Sequence, residues 1–133
     1  MRSTTFAFAY ALVTLTSFSE FYAAPRDLTL GERIEAQRRI ERVRHAHQIG
    51  ERRPFEVVFP HSLLEQKTET YLRQTLALER VWQTPVTAAM LRAEAERMQR
   101  GTRMPERLAE LHRSLDDDPV LILECLVRPV LGS

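Results

Sequence analysis

The stretch from Val120 to Val127 constrains the fold of this 133-residue chain more than any other feature. Its sequence is VLILECLV, so a helix formed here is apolar around most of its circumference, with Glu124 as the one charged residue. A helix of that kind must be enclosed by other elements. Exposing four of its apolar side chains would cost on the order of 6–12 kcal/mol, comparable with the stability of a whole domain. We therefore expect the other helices to cover one side of this helix and a partner to cover the other.

Residues 1–24 have the layout of a secretory signal peptide. Arg2 is followed by the apolar run FAFAYALVTL and then by small polar residues up to Ser19. The run is too short to span a bilayer as a helix, which takes about 20 residues. We expect a cleaved signal, released after Ser19; the alternatives are an uncleaved anchor or a first core helix. Export predicts a secreted protein, or a periplasmic one if the source is bacterial, that touches the membrane only through this segment if it stays attached.

Residues 25–133 predict an all-α domain of about five short helices in an irregular bundle, preceded by the signal-like helix. Thr29 and Glu32 fit a capping box for a first helix that reaches about His47. The stretch PFEVVFP, from Pro54 to Pro60, favours an extended connector because proline restricts its own backbone and that of the preceding residue.

The strongest helical pattern follows a second predicted capping box at Ser62 and Glu65. Its small or apolar positions recur every three or four residues, at Leu64, Thr68, Tyr71, Thr75, Leu78 and Trp82. Leu72 and Leu76 widen this stripe, which predicts packing against two neighbours.

Three further helices are predicted from caps and prolines. Thr87 is placed to cap a third helix that Gly101 stops. Pro105 suits the first turn of a fourth helix, and Asp118 with Pro119 suits the start of a fifth, which Pro129 should kink or end.

Charge and composition exclude several functional classes. Without residues 1–19 the chain carries 18 basic and 18 acidic residues, because 19 basic residues include Arg2. This neutrality argues against a dedicated nucleic-acid binder. The pair of predicted helices that carries the arginines between Arg92 and Arg113 could be misread as a DNA-binding helix-turn-helix. Cys125 is the single cysteine, so no internal disulfide can form, and we expect a buried, inert thiol.

The sequence predicts no enzyme, metal or cofactor. His45 and His47 point about 200° apart on a helix and cannot share an ion. The aspartates from Asp116 to Asp118 lack the glycine of a calcium loop, so helix capping explains them better. There is no glycine-rich phosphate loop, and no serine or cysteine stands in a nucleophile elbow.

The order of elements from Leu63 to Leu131 resembles the SurA-like N-terminal domain of periplasmic parvulin-type peptidyl-prolyl isomerase chaperones. The resemblance rests on TPVTAAMLRAEAERM after a long helix, then on MPERLAELHRSLDDDPVLILECLVRPVL. It covers about half of the chain, and the first helix fits only loosely. In that family the isomerase activity belongs to a separate parvulin domain, which this sequence does not contain. The resemblance implies a helical domain, 25–133, that is complete or continues in a longer protein.

Two functions remain open from the sequence. The first is an exported, chaperone-like module that binds unfolded or extended polypeptide without isomerase activity. The second is a non-catalytic scaffold fragment of a longer isomerase-type protein, contacting a partner chain or a C-terminal continuation. The residues predicted to line a polypeptide-binding groove are Met90, Met98, Leu108, Leu111, Leu123 and Val127; the alternative for them is an ordinary core.

Overall fold

The computed structural model describes residues 26–50 and 52–131, and every regular element among them is helical. The predicted signal-like helix within residues 1–24 lies outside the described residues. The elements are α1 (Leu30–Ala46), α2 (Phe55–Val58), α3 (His61–Trp82), α4 (Ala88–Gly101), α5 (Pro105–Ser114), α6 (Pro119–Leu121), a π-helical segment (Ile122–Val127) and α7 (Arg128–Leu131). The last three are continuous, and together we call them the C-terminal helix, 119–131. The all-α prediction is confirmed.

Helix α1 begins at the predicted capping box. The Thr29 hydroxyl accepts a hydrogen bond from the Glu32 amide at 3.2 Å, and the Glu32 carboxylate accepts one from the Thr29 amide at 2.8 Å. The helix buries its thin apolar stripe, and two polar residues, Gln37 and Glu41, are buried with it. The two are paired with each other, because the Gln37 amide donates a hydrogen bond to the Glu41 carboxylate at 2.8 Å.

The PFEVVFP stretch is not an extended connector. Pro54 stands at the N-cap of the one-turn helix α2, where its fixed φ of −52° suits a helix start. The Phe59 amide donates to the Phe55 carbonyl at 2.7 Å, and the two rings stack at 5.3 Å between centroids. Aromatic contact between residues four apart therefore closes the turn that two prolines were expected to prevent.

Helix α3 is the longest element, as predicted, but its start differs. Pro60 takes the N-cap position, so Ser62 and Glu65 lie inside the first turns, and the predicted capping box is wrong. The stripe from Leu64 to Thr75 is buried. The helix packs on two neighbours, α1 and α7, although Leu76 remains 52% exposed.

Helices α4 and α5 start where the sequence predicted. The Thr87 hydroxyl accepts from the Met90 amide at 3.2 Å, and Pro105 occupies the first turn of α5. Gly101 is the last residue of α4 rather than a stop beyond it, because the chain leaves through Thr102 in an extended conformation.

Asp118 caps the C-terminal helix. Its carboxylate accepts from the amides of Val120 and Leu121 at 2.8 and 3.3 Å. Asp116 and Asp117 do not cap; both adopt left-handed backbone conformations, with φ of 58° and 52°, which aspartate tolerates better than most residues. Pro129 does not end the helix, which continues to Leu131.

The C-terminal helix lies at the centre of the fold. Its four most buried residues are Ile122, Cys125, Leu126 and Val127. It packs against α1, α3 and α4, and Leu115 at the end of α5 is buried in the same core cluster. Helix α1 therefore forms one of the walls around this helix, and coverage of the remaining surface by a partner stays a prediction. Val130, at 38% exposure, is the large apolar residue of this helix that remains exposed to solvent.

Candidate functional site: an apolar helix end and a polar pocket

The six residues predicted to line a groove do not share one exposed surface. Met90, at the start of α4, is 40% exposed. Val127 is 1% exposed and belongs to the core in this conformation. The other four are partly buried against the core cluster, namely Met98, Leu108, Leu111 and Leu123. Contact between a partner and Val127 would require the core to open.

Three of the exposed large apolar side chains among the described residues lie in the last two turns of α3. Leu76, Val81 and Trp82 are 52%, 75% and 71% exposed, and we call them the apolar end of α3. Trp82 follows the buried Thr75 by seven residues, so the two lie on the same face of the helix. The face that packs on α1 and α7 further back is thus left uncovered at its last turn.

The α3–α4 connection holds the apolar end in place. Gln83 ends α3 with φ of 50°, in the left-handed region. The Glu79 carboxylate accepts a hydrogen bond from the Val86 amide at 3.1 Å, which ties the connection back onto α3. Met90 follows one turn later, so a further exposed apolar side chain stands on α4, after the connection.

A pocket of about 270 Å³ opens between α1, α3 and the C-terminal helix. Four aliphatic residues line it, namely Ile40, Leu126, Pro129 and Val130. The other lining side chains are polar, aromatic or sulfur-bearing, namely Gln37, Arg44, Lys67, Tyr71, Gln74 and Cys125.

A buried carboxylate organises the polar side of this pocket. Glu41 is 3% exposed, and its Oε1 accepts from Gln37 Nε2 at 2.8 Å, Arg44 Nη1 at 3.2 Å and Lys67 Nζ at 2.5 Å. Lys67 lies on α3 and the others on α1, so this contact joins the two helices. The sequence contains one signal for the burial of Gln37 and Glu41. They follow Ile34 by three and seven residues and therefore lie on the helix face that points to the core.

Tyr71 and Cys125 meet beside the pocket, in the interior. The Tyr71 hydroxyl is buried and makes no hydrogen bond of normal geometry, although Arg33 and Cys125 are near it. Burial raises the pKa of Tyr71 to about 12, and the nearby Cys125 adds to the effect. Burial likewise raises the pKa of the Cys125 thiol to about 11, so the thiol stays protonated and poorly nucleophilic near neutral pH.

Glu124, the one charge of the apolar run, lies between two arginines. It accepts two hydrogen bonds from Arg128, both at 2.9 Å, and one from Arg33 of α1 at 3.1 Å. Burial alone would raise the pKa of Glu124, but the hydrogen bonds and charges of Arg128 and Arg33 outweigh burial and hold it below its usual value. This cluster is a structural ion pair that links α1 to the core helix.

Three histidines of the first half make polar contacts with other parts of the fold. His45 Nε2 donates to the Arg53 carbonyl at 2.9 Å, and His47 Nε2 donates to Glu110 at 2.7 Å. His61 Nδ1 accepts from Arg38 at 3.2 Å. Within the described residues no group of three or more histidine, cysteine, aspartate or glutamate side chains is arranged to hold a metal ion.

No protein-family model, curated protein or solved structure gives a significant match to the chain. The likeness to SurA-like domains rests on the sequence motifs alone. Across residues 26–50 and 52–131, no helix is both long and apolar enough to cross a membrane.

Proposed function

We propose that this protein is an exported, chaperone-like helical module that binds unfolded or extended polypeptide and has no isomerase activity. The observation that carries the proposal is the apolar end of α3, where Trp82 is 71% exposed on the face that is buried further back along the helix. A large aromatic side chain left uncovered on a helix face that is otherwise buried is suited to contact with another polypeptide. Tryptophan is also among the residues that contribute most to binding at protein interfaces.

The proposal is tested by suppression of aggregation. The purified protein, in several-fold excess over a reduced or heat-unfolded client, is expected to lower light scattering. A Val81→Ser, Trp82→Ser double variant is expected to lose most of this protection with an unchanged melting temperature. Gln66→Ser with Thr70→Ser, two exposed polar changes on the same helix, serves as the matched control. Absence of protection by the unaltered protein would remove the chaperone proposal.

Trp82 also provides a direct signal, because it is the single tryptophan of the chain. Docking of a polypeptide on the apolar end of α3 would transfer the indole from water into an apolar contact. We expect its fluorescence emission to shift to shorter wavelength on addition of an unfolded client. A folded control protein of similar size should leave the emission unchanged.

The second candidate is a non-catalytic scaffold fragment of a longer isomerase-type protein. It is favoured by the same uncovered last turn of α3, which a further domain could cover. Genomic sequence beyond the last codon distinguishes the two: a parvulin-type domain, in frame or one frameshift away, supports the scaffold. Export to the periplasm or medium is tested separately, by fusing residues 1–24 to a reporter that is active only after export.

A further inference from the structure

The pocket between α1, α3 and the C-terminal helix combines an apolar interior with a basic opening. Ile40 and Leu126 are 1% and 4% exposed and lie at its inner side, next to the Tyr71 ring, which is 6% exposed. The Arg44 and Lys67 side chains, 53% and 39% exposed, lie toward solvent. Every described lining residue is neutral or basic.

The charges around this opening do not balance. Arg44 and Lys67 carry two positive charges, and the buried Glu41 that accepts from both carries one negative charge, which leaves a net charge of +1. An ammonium has three N–H donors and a guanidinium has five, more than the bonds to Glu41 use. A single additional carboxylate would bring the net charge of the site to zero, whereas a doubly charged phosphate would leave the site with a net negative charge.

The size of the pocket limits the apolar part of a ligand. Its volume of about 270 Å³ lies just below the range of typical small-molecule sites, which begins at roughly 300 Å³. An apolar cavity of about 150 Å³ is enough for benzene. One aromatic ring or a short alkyl chain therefore fits against Ile40, Leu126 and the Tyr71 ring.

We propose that this pocket binds a small apolar group that carries a single carboxylate, with the carboxylate between Arg44 and Lys67. This site is separate from the proposed polypeptide-binding function, because it uses no residue of the apolar end of α3. Its test is a calorimetric titration of the full chain with 3-phenylpropionate and with 3-phenylpropionamide, which has the same shape without the charge. The acid is expected to bind about tenfold or more tightly, as charge-assisted hydrogen bonds allow. Equal affinities, or no binding of the acid below about 10 mM, would overturn the proposal.

Variants locate the binding to this pocket. Lys67→Gln is expected to weaken binding of the acid about tenfold and to remove its advantage over the amide. Arg80→Gln makes the same change of charge at an exposed position of α3 outside the pocket and should bind as the unaltered chain does. Because Lys67 also pairs with the buried Glu41, Gln74→Trp provides a second variant that fills the opening from an exposed position. If Gln74→Trp folds and binds the acid unchanged, the assignment is wrong.

The same ligand chemistry occurs in a free carboxylic acid and at the C-terminus of a polypeptide that ends in an apolar residue. A tripeptide ending in phenylalanine, with a free carboxylate or as its amide, distinguishes the two sources. Displacement of 3-phenylpropionate by the free-carboxylate tripeptide alone supports a polypeptide terminus. No displacement by either supports a free acid, and displacement by both forms alike contradicts a site that recognises the carboxylate.

Discussion

The most informative single residue of the interior is Tyr71, whose buried hydroxyl makes no hydrogen bond of normal geometry although Arg33 and Cys125 lie beside it. A buried unsatisfied polar group costs about 1–3 kcal/mol, and few native residues tolerate that cost without a reason. The aromatic ring of Tyr71, by contrast, belongs to the buried stripe of α3 and also lines the pocket. The hydroxyl is the part of the side chain that contributes least to the fold.

Tyr71→Phe is therefore expected to leave the free energy of unfolding unchanged or to raise it by up to about 1 kcal/mol. Burial raises the folded-state pKa of Tyr71 to about 12, above the ordinary tyrosine value of 10.0, so its contribution to stability is present below pH 10 and is lost as the pH rises toward 12. The variant should lose less stability over that interval in urea titrations. A loss of more than about 1 kcal/mol at neutral pH would show that the hydroxyl has a partner after all.

Glu124 is a residue whose replacement should cost much more. Glu124→Leu leaves Arg33 and Arg128, both with side chains 15% exposed, without their carboxylate. Breaking a largely buried pair from one side costs roughly 3 kcal/mol, measured as a lower urea midpoint with an unchanged slope. Glu124→Gln keeps the acceptor oxygen and is expected to cost less than half as much. Equal losses for the two variants would mean that side-chain shape, not pairing, matters at this position.

At the scale of elements, the sequence predicted those helix starts whose signal is local. Thr29, Thr87 and Asp118 cap as expected because an N-cap needs only its own next few residues. Helix α2 was missed because the stacking of Phe55 on Phe59 outweighs the proline signal. The pocket was missed because Lys67 reaches Glu41 from 26 residues away, a distance along the chain that no helical spacing reveals.

The N-cap at Asp118 should stabilise the start of the C-terminal helix. Asp118→Ala removes the acceptor for two backbone amides and the 3.2 Å ion pair with Arg26, so it should lower the free energy of unfolding by about 1–2 kcal/mol. Asp118→Asn preserves a good N-cap and loses only the ion pair with Arg26. It should therefore lower the free energy of unfolding by only a few tenths of that amount, which is the size expected for an exposed ion pair. Both are measured by urea unfolding at neutral pH. Similar losses in the two variants would assign the effect to the ion pair instead of the cap.

At the scale of the whole molecule, three ion pairs between described residues join the first part of the chain to the last. Arg26 binds Asp118, Arg33 binds Glu124 and Arg39 binds Asp116, at 3.2, 3.1 and 2.6 Å. The partners are 92, 91 and 77 residues apart along the chain. Together with the apolar contacts of α1, they hold the C-terminal helix inside the bundle, which explains how a largely charged α1 can serve as a wall of the core.

This arrangement predicts a loss of stability in acid. Hydrogen bonds from the Thr29 backbone and from Arg26 lower the pKa of Glu32 to about 2, and Glu124 and Asp118 also have lowered values. Because each folded-state pKa lies below the unfolded one, the stabilisation is fully present above about pH 4.5 and disappears as the pH falls toward 2.

The measurement is the urea midpoint of the full chain between neutral pH and pH 2. The unaltered protein should lose stability steadily below about pH 4.5, and Glu124→Gln should show a shallower loss because one of the titrating groups is gone. Glu96→Gln is the matched control, since it removes a carboxylate whose ion pair with Arg100 lies within α4 and is exposed on both sides. A Glu124→Gln profile parallel to that of the unaltered protein would mean that the ion pairs between α1 and the C-terminal helix do not govern acid unfolding.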